Sequence, residues 1–280
     1  MRSDRGTNLV GRIAMVLVAL AFVAPFAWML LASLRSPEEV ARGEVFTLAA
    51  PRLSNYGEVF ARMDVTRQLA NTGWIALCNV IGSVISGALV GYAFARLRFR
   101  GRDLLFLVLL AAMLLPPQLT MIPQFLLFRG LGWLDTSLPL TVPAFLCGNG
   151  FNAFFVFLFR QYYLGLPREL EEAARVDGAG FVTTFTRIFL PLALPAAATV
   201  GVFAFVWTWN DFQLPLVFLQ SQEQHTLALG LAAFKGGPYG NSQVNLLMAA
   251  SVIAIAPCIF LFLAAQRLFL SSITVGGLKT

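Results

Sequence analysis

Histidine occurs once, at His225, and cysteine three times, at Cys78, Cys147 and Cys258. The cysteines lie too far apart for a Cys-x-x-Cys pair and no histidine cluster accompanies them. No metal-ligand spacing is therefore present, and the thiols read as small buried side chains. His225 stands alone and reads as a solvated side chain, so no nucleophile–base pair can be assembled around it. Charge is scarce too: 12% of the 280 residues are Asp, Glu, Lys or Arg, and lysine appears only at Lys235 and Lys279. Low-complexity linkers and evident internal repeats are lacking, which makes one domain over residues 1–280 the simplest division.

What fills the chain is apolar: 58% of residues are hydrophobic and 26 are Phe, values a soluble domain rarely reaches. Six windows carry no Asp, Glu, Lys, Arg or His: 13–34, 74–94, 104–128, 138–159, 188–209 and 246–265. At about 1.5 Å rise per residue each is long enough to cross a hydrocarbon core of roughly 30 Å, so six transmembrane helices are expected. The segments flanking them alternate in charge. One set (1–12, 95–103, 160–187 and 266–280) holds 13 Lys and Arg; the other (35–73, 129–137 and 210–245) holds 7. Basic loops stay cytoplasmic, so both termini are expected in the cytoplasm, with "RLRFRGRD" as the sharpest anchor. The same asymmetry accounts for the net charge of +6 without nucleic acid. The first window is 22 residues long, beyond the 7–15 of a secretory h-region, and reads as a retained signal anchor.

Several features inside this frame carry two readings. On the second window Ser83, Gly87 and Gly91 share one helix face, with Gly82 and Ser86 alongside, as either internal packing or a subunit contact. Pro116, Pro117 and Pro123 predict a break or kink in the third window, structural or at the edge of a translocation path. Asn149 and Asn152 lie three apart on the fourth, suited to inter-helix hydrogen bonds or to a hydroxyl-rich substrate. Trp207 and Asn210 end the fifth, as interfacial belt residues or as a sugar-binding edge. Outside the membrane, residues 35–73 read as a small cap whose short helix takes Ser54 or Asn55 as N-cap.

A charged helical stretch, "LPRELEEAARVDGAG", lies in the expected cytoplasmic loop 160–187. Pro167 fits position N1, Glu169, Glu171 and Glu172 fit the first turns, Glu171 and Arg175 form an i, i+4 pair, and Gly178 ends the helix. A polar side, a small patch at Ala173 and Ala174 and a glycine hinge are the properties of a docking element. The C-terminal "VGGLKT" superficially looks like a phosphate loop but lacks the Gly-Lys adjacency and any following helix, so ATP would be bound by another subunit.

Glu172-Ala173-Ala174, three residues, Gly178, nine residues, then Ile188-x-Leu190-Pro191 resembles, without a gap, the EAA signature of permease subunits in binding-protein-dependent ATP-binding-cassette importers. "GYAFARLRFRGRD", "PPQLTMIPQFLLFRGLGWLDT" and "WNDFQLPLVF" extend the likeness to the carbohydrate-uptake branch. The resemblance implies an all-α membrane protein with the type I importer permease fold, in a bacterial plasma (inner) membrane. It implies half of a translocation pore for a sugar or sugar derivative, with glycerol phosphate or another polyol derivative as the alternative cargo. Implied partners are a homologous second permease, an ATPase dimer that binds ATP and Mg, and an extracytoplasmic solute-binding protein, free or as a lipoprotein. No catalytic residue or cofactor is implied for this chain.

The same resemblance gives Glu171, Glu172, Ala173, Ala174, Asp177 and Gly178 to the ATPase contact. It places Gly276, Gly277 and Lys279 in a tail reaching the ATPase, and leaves Asn149, Asn152, Trp207 and Asn210 as candidates along the substrate path. An ion-coupled carrier, the rival class, would need ionisable residues within the spans, and the six windows have none.

Overall fold

In the computed structural model, residues 4–42, 50–148, 150–236 and 243–276 are described, and every regular element among them is helical. The order is α1 (Asp4–Ser33), α2 (Pro37–Ala41), α3 (Ser54–Arg62), α4 (Val65–Arg96), α5 (Arg102–Ala112), α6 (Pro117–Gly130), α7 (Leu138–Phe145) and α8 (Asn152–Leu164). Then follow α9 (Glu169–Val176), α10 (Phe181–Thr184), a π-helical turn (Phe185–Phe189), α11 (Leu190–Leu192), α12 (Leu194–Asn210), α13 (Gln213–Phe218), a 3₁₀ turn (Gln222–Gln224), α14 (Leu227–Gly236) and α15 (Val244–Gly276).

Among the described residues three helical stretches are long and apolar enough to cross a membrane: Gly11–Ser33, Val65–Arg96 and Val244–Ala264. Two bent pairs bring the number to five if each is one span: α5 with α6, bent by 98°, and Phe181–Leu192 with α12, bent by 72°. The first bend is the one the prolines require. Proline cannot donate to the helix ladder, and α6 restarts with Pro116 at its N-cap and Pro117 at its first position, whereas Pro123 is accommodated inside α6. The window 138–159, expected as one helix, is instead α7 and α8 separated by residues 146–151, where Cys147 takes a φ of +55° beside Gly148 and Gly150.

The described residues divide into two compact units. In the unit comprising residues 1–66 and 230–257, α3 is tied to the ends of two longer helices. Leu53 occupies the N-cap of α3 with no side-chain cap, so neither Ser54 nor Asn55 serves as expected. Asn55 has a tertiary partner set that outweighs a local cap. Its Nδ2 donates to the carbonyls of Ser33 (2.8 Å) and Arg35 (2.9 Å), and its Oδ1 accepts from Asn245 at 3.2 Å. Asn55 is buried, so these bonds replace water that the amide has given up. Ser36 starts α2 with a capping box to Glu39.

The unit comprising residues 67–229 and 258–280 is built on the small-residue face of α4. A Cβ at Gly82 would lie 2.9–3.0 Å from Phe145 and Ala144, and one at Gly91 would lie 2.6 Å from the Phe159 Cβ. Ser83 Oγ bonds Asn152 Oδ1 at 2.8 Å, Ser86 Oγ donates to the Ala144 carbonyl at 2.8 Å, and Asn79 Nδ2 donates to the Leu140 carbonyl at 2.7 Å. Of the two readings of this face, close packing inside the chain is the one observed.

Asp135 holds two loops of the same unit together. It adopts a φ of +59°, and its Oδ1 accepts from the backbone N–H groups of Gln220 (2.9 Å) and Ser221 (2.8 Å) and from Ser221 Oγ (3.0 Å). Those N–H donors, Ser221 first, hold its carboxyl below the ordinary value. A depressed carboxyl stabilises the fold above the unfolded value of about 3.9 and loses that contribution as pH falls through the folded value. Asp135→Asn should therefore lower the melting temperature of detergent-solubilised protein at pH 6–7, and the gap to wild type should close toward pH 3. A pH-independent gap would assign the effect to geometry alone.

Candidate functional site

α9 takes its shape from local chemistry. Glu169, Glu171 and Glu172 occupy its first turn, where the unsatisfied N–H groups favour carboxylates, and Arg175 bonds Glu171 at 3.0 Å. Its N-cap is Arg168 without a side-chain bond, so Pro167 precedes the helix and does not occupy N1. The C-terminus closes as expected. Asp177 is the C-cap, Gly178 has φ +74°, and the N–H groups of Gly178 and Ala179 bond the carbonyls of Arg175 (3.1 Å) and Ala174 (2.8 Å), the paired bonds of a Schellman motif.

Burial divides the expected small patch. Ala174 is 4% exposed and faces the protein, together with half-buried Leu170, while Glu172, Ala173 and Val176 face outward. Val176 is 87% exposed, an apolar side chain with nothing over it. Beneath Leu170 and Leu166 lies an aromatic cluster of Tyr92, Phe159, Tyr163, Phe185 and Phe189, with Tyr92 and Phe189 ring centroids 5.0 Å apart. Arg96, the last residue of α4, donates to the carbonyls of Tyr163 and Leu166 and lies 5.0 Å over the Phe189 ring. This Arg supplies a side-chain donor to carbonyls at and just beyond the end of α8, a role the basic run "RLRFRGRD" does not disclose.

After Gly180 the chain enters α10, widens into the π turn and bends at Ala193 into α12. Ala193 is fully buried, and Tyr162 Oη donates to the Leu192 carbonyl at 2.8 Å beside the bend. π turns concentrate where a helix must re-aim its side chains, and here Phe185 and Phe189 both reach the aromatic cluster.

The remaining candidates separate. Asn152 is fully buried, bonded to Ser83 and donating to the Ala144 carbonyl at 2.7 Å, so its amide joins helices and has no free face for a substrate. Asn210 is exposed and donates to the Val206 carbonyl one turn back at 2.7 Å. Trp207 packs against Phe151, with centroids 4.3 Å apart, and lines a cavity of about 420 Å³. Asp211, Thr208, Thr226 and Trp133 share that cavity with α4, α6 and α7 residues. Asp211 Oδ1 accepts from the N–H groups of Gln213 (3.0 Å) and Leu214 (3.3 Å). Burial pushes its carboxyl above the ordinary value, with the two N–H donors pulling the other way. Asn149, Gly277 and Lys279 lie outside the described residues, and Gly276 ends α15.

Residues 83–275, from the small-residue face of α4 through nearly all of α15, match the binding-protein-dependent transport system inner membrane components. The chain belongs to that family. It is 35% identical over 271 residues to the arabinooligosaccharides transport system permease protein of Halalkalibacterium halodurans, covering 95% of each chain. The melibiose/raffinose/stachyose import permease protein of Bacillus subtilis is 31% identical over 264 residues, 94% of each. In three dimensions it matches a chain of the crystal structure of a bacterial ABC transporter for the acidic polysaccharide alginate, with a TM-score of 0.79 and 28% identity over 95% of this chain and 98% of that one. This permease is thus an all-helical, multi-pass membrane component of a transport system, and its relatives are named as permeases and not as ATPases.

Proposed function

We propose that this permease forms half of the pore of an ATP-driven importer of a sugar or sugar derivative in the bacterial plasma membrane. A homologous second permease supplies the other half, an extracytoplasmic solute-binding protein delivers the cargo, and two cytoplasmic ATPase subunits drive the cycle. The carrying observation is the construction of α9: one side is turned to the protein, with Leu170 packed on the aromatic cluster and Ala174 buried, and the other presents Glu172, Ala173 and Val176 uncovered. In this reading Glu172 meets a basic group of the ATPase, Val176 fills an apolar recess in it, and Ala173 leaves room for its backbone. Ala174 acts from the inner side, fixing α9 to its own molecule. Gly178 and Asp177 set the angle at which the chain leaves α9 for the π turn. The relatives' names support a saccharide as cargo.

Right-side-out vesicles carrying the assembled transporter, loaded with ATP, test this directly. Uptake of a neutral oligosaccharide should require both ATP and the solute-binding protein, and should survive collapse of ion gradients by an ionophore. Uptake that follows an ion gradient without ATP would overturn the reading.

A further inference from the structure

The cavity of about 420 Å³ lies wholly within residues 67–229 and falls in the size range of small-molecule sites, about 300–1,000 Å³. Its composition is that of such a site: aromatic and aliphatic walls with a few polar groups. Two of those groups are unusual. Thr226 is 3% exposed, and among the described residues its hydroxyl has no hydrogen-bond partner although it borders the cavity. A buried hydroxyl without a partner has lost water and gained nothing, so a ligand in the cavity would complete it. Asp211 brings a carboxylate into the same wall, and among the described residues no Lys, Arg or His lines the cavity to neutralise it.

We infer that this cavity is a binding subsite for one neutral glycosyl unit of the transported saccharide, with Trp207 and Trp133 in its apolar wall, Asp211 accepting sugar hydroxyls and Thr226 completing the polar set. The inference rests on the importer reading and adds where this chain itself touches cargo and which cargo it refuses. Sugar rings present C–H faces to aromatic walls and hydroxyls that donate to a carboxylate and accept from a threonine, which matches both halves of the lining. A uronic acid or phosphorylated sugar would place like charge against Asp211 in an apolar cavity with no cation to relieve it. An organic cation fits less well, because Asp211 already shares Oδ1 with the N–H groups of Gln213 and Leu214 and a quaternary ammonium head accepts nothing from the Thr226 hydroxyl.

The test uses the assembled transporter in lipid nanodiscs, without the solute-binding protein, and equilibrium binding of tritiated arabinotriose, raffinose and maltotriose, with trigalacturonate and choline as comparisons. At least one neutral trisaccharide should bind and the two comparisons should not. Asp211→Asn keeps an oxygen for the Gln213 and Leu214 N–H groups and should weaken binding about tenfold by removing the charge. Thr226→Val should weaken binding several-fold while leaving the melting temperature of the empty protein unchanged or raised, a combination that a structural role would not produce. Binding unchanged in both variants, or preferential binding of trigalacturonate or choline, overturns the subsite. If ATP-driven uptake of the same neutral sugars persists in that case, the importer reading stands and the subsite alone fails. If wild type transports none of them, the reading and the subsite fall together.

Discussion

Replacing Glu172 by lysine or Gly178 by valine should cut ATP-driven uptake at least tenfold while the transporter still assembles. The two act by different physics. Glu172 sits on the outward side of α9, so reversing its charge would make the proposed ATPase contact repulsive while leaving the fold of this chain untouched. Gly178 works through the backbone. At φ +74° a side chain meets the following carbonyl oxygen, at a cost of about 1–2 kcal/mol, more for a β-branched residue. To relieve it the Schellman bonds of Gly178 and Ala179 must open, and the angle between α9 and the π turn is lost. Coupling between distant sites is typically worth about 1–3 kcal/mol, so a penalty of this size is enough to uncouple the two ends. Reconstituted transporter should therefore retain basal ATP hydrolysis and lose its stimulation by loaded binding protein. Coupled transport at wild-type rates in both variants would remove α9 from the coupling path.

Gly91→Val should act differently and without bearing on coupling: it should destabilise the folded protein itself. A Cβ at this position would stand 2.6 Å from the Phe159 Cβ, 3.0 Å from the Val156 carbonyl oxygen and 3.1 Å from the Arg160 nitrogen. Two of those atoms are backbone, so no rotamer change relieves the clash and α8 must move away from α4. Separation of the helices would draw Arg96 from the Tyr163 and Leu166 carbonyls and expose the buried bond between Ser83 and Asn152. Overpacking alone costs about 1–3 kcal/mol, and with the lost polar contacts the total corresponds to a fall in melting temperature on the order of 10 °C. Gly57→Ala is the matched control. Nothing lies within 4 Å of its Cβ position inside α3, so alanine there should be neutral or stabilising by up to about 1 kcal/mol. Size-exclusion profiles and thermal melts of both variants in detergent decide the point.

Features set by local chemistry were legible from the amino acids. The charge-free windows located α1, α4 and α15, whose apolar length needs no tertiary partner to be read. α9 was equally accessible, because its acidic first turn, its Glu171–Arg175 pair and its glycine stop all act within ten residues. What escaped depends on partners far along the chain. Asn55 looks like a helix cap until its bonds to Ser33 and Asn245 are seen. Nothing in Phe185–Phe189 announces a π turn, which answers to Tyr92 and Arg96 on another helix. The interruption of the fourth window had Pro143, Gly148 and Gly150 as signals, and Pro and Gly are common in membrane helices that do not break. Asp211 follows the fifth window directly, but its share in a cavity depends on the packing of α4, α6 and α7, which no local pattern discloses.

The bend at Ala193 gives the chain a lever arm. From that buried pivot α12 runs 17 residues, about 25 Å at the usual helical rise, with Trp207 near its tip and Asp211 just beyond. A rotation of only ~10° about such a pivot would sweep the tip through roughly 4 Å, more than the length of a hydrogen bond. The short arm, Phe181–Leu192, is the one that follows α9, so a small angular input there would be magnified at the far end. Leverage of this kind needs no large rearrangement of the aromatic cluster: the fulcrum stays packed while the grip on whatever occupies the cavity opens or closes.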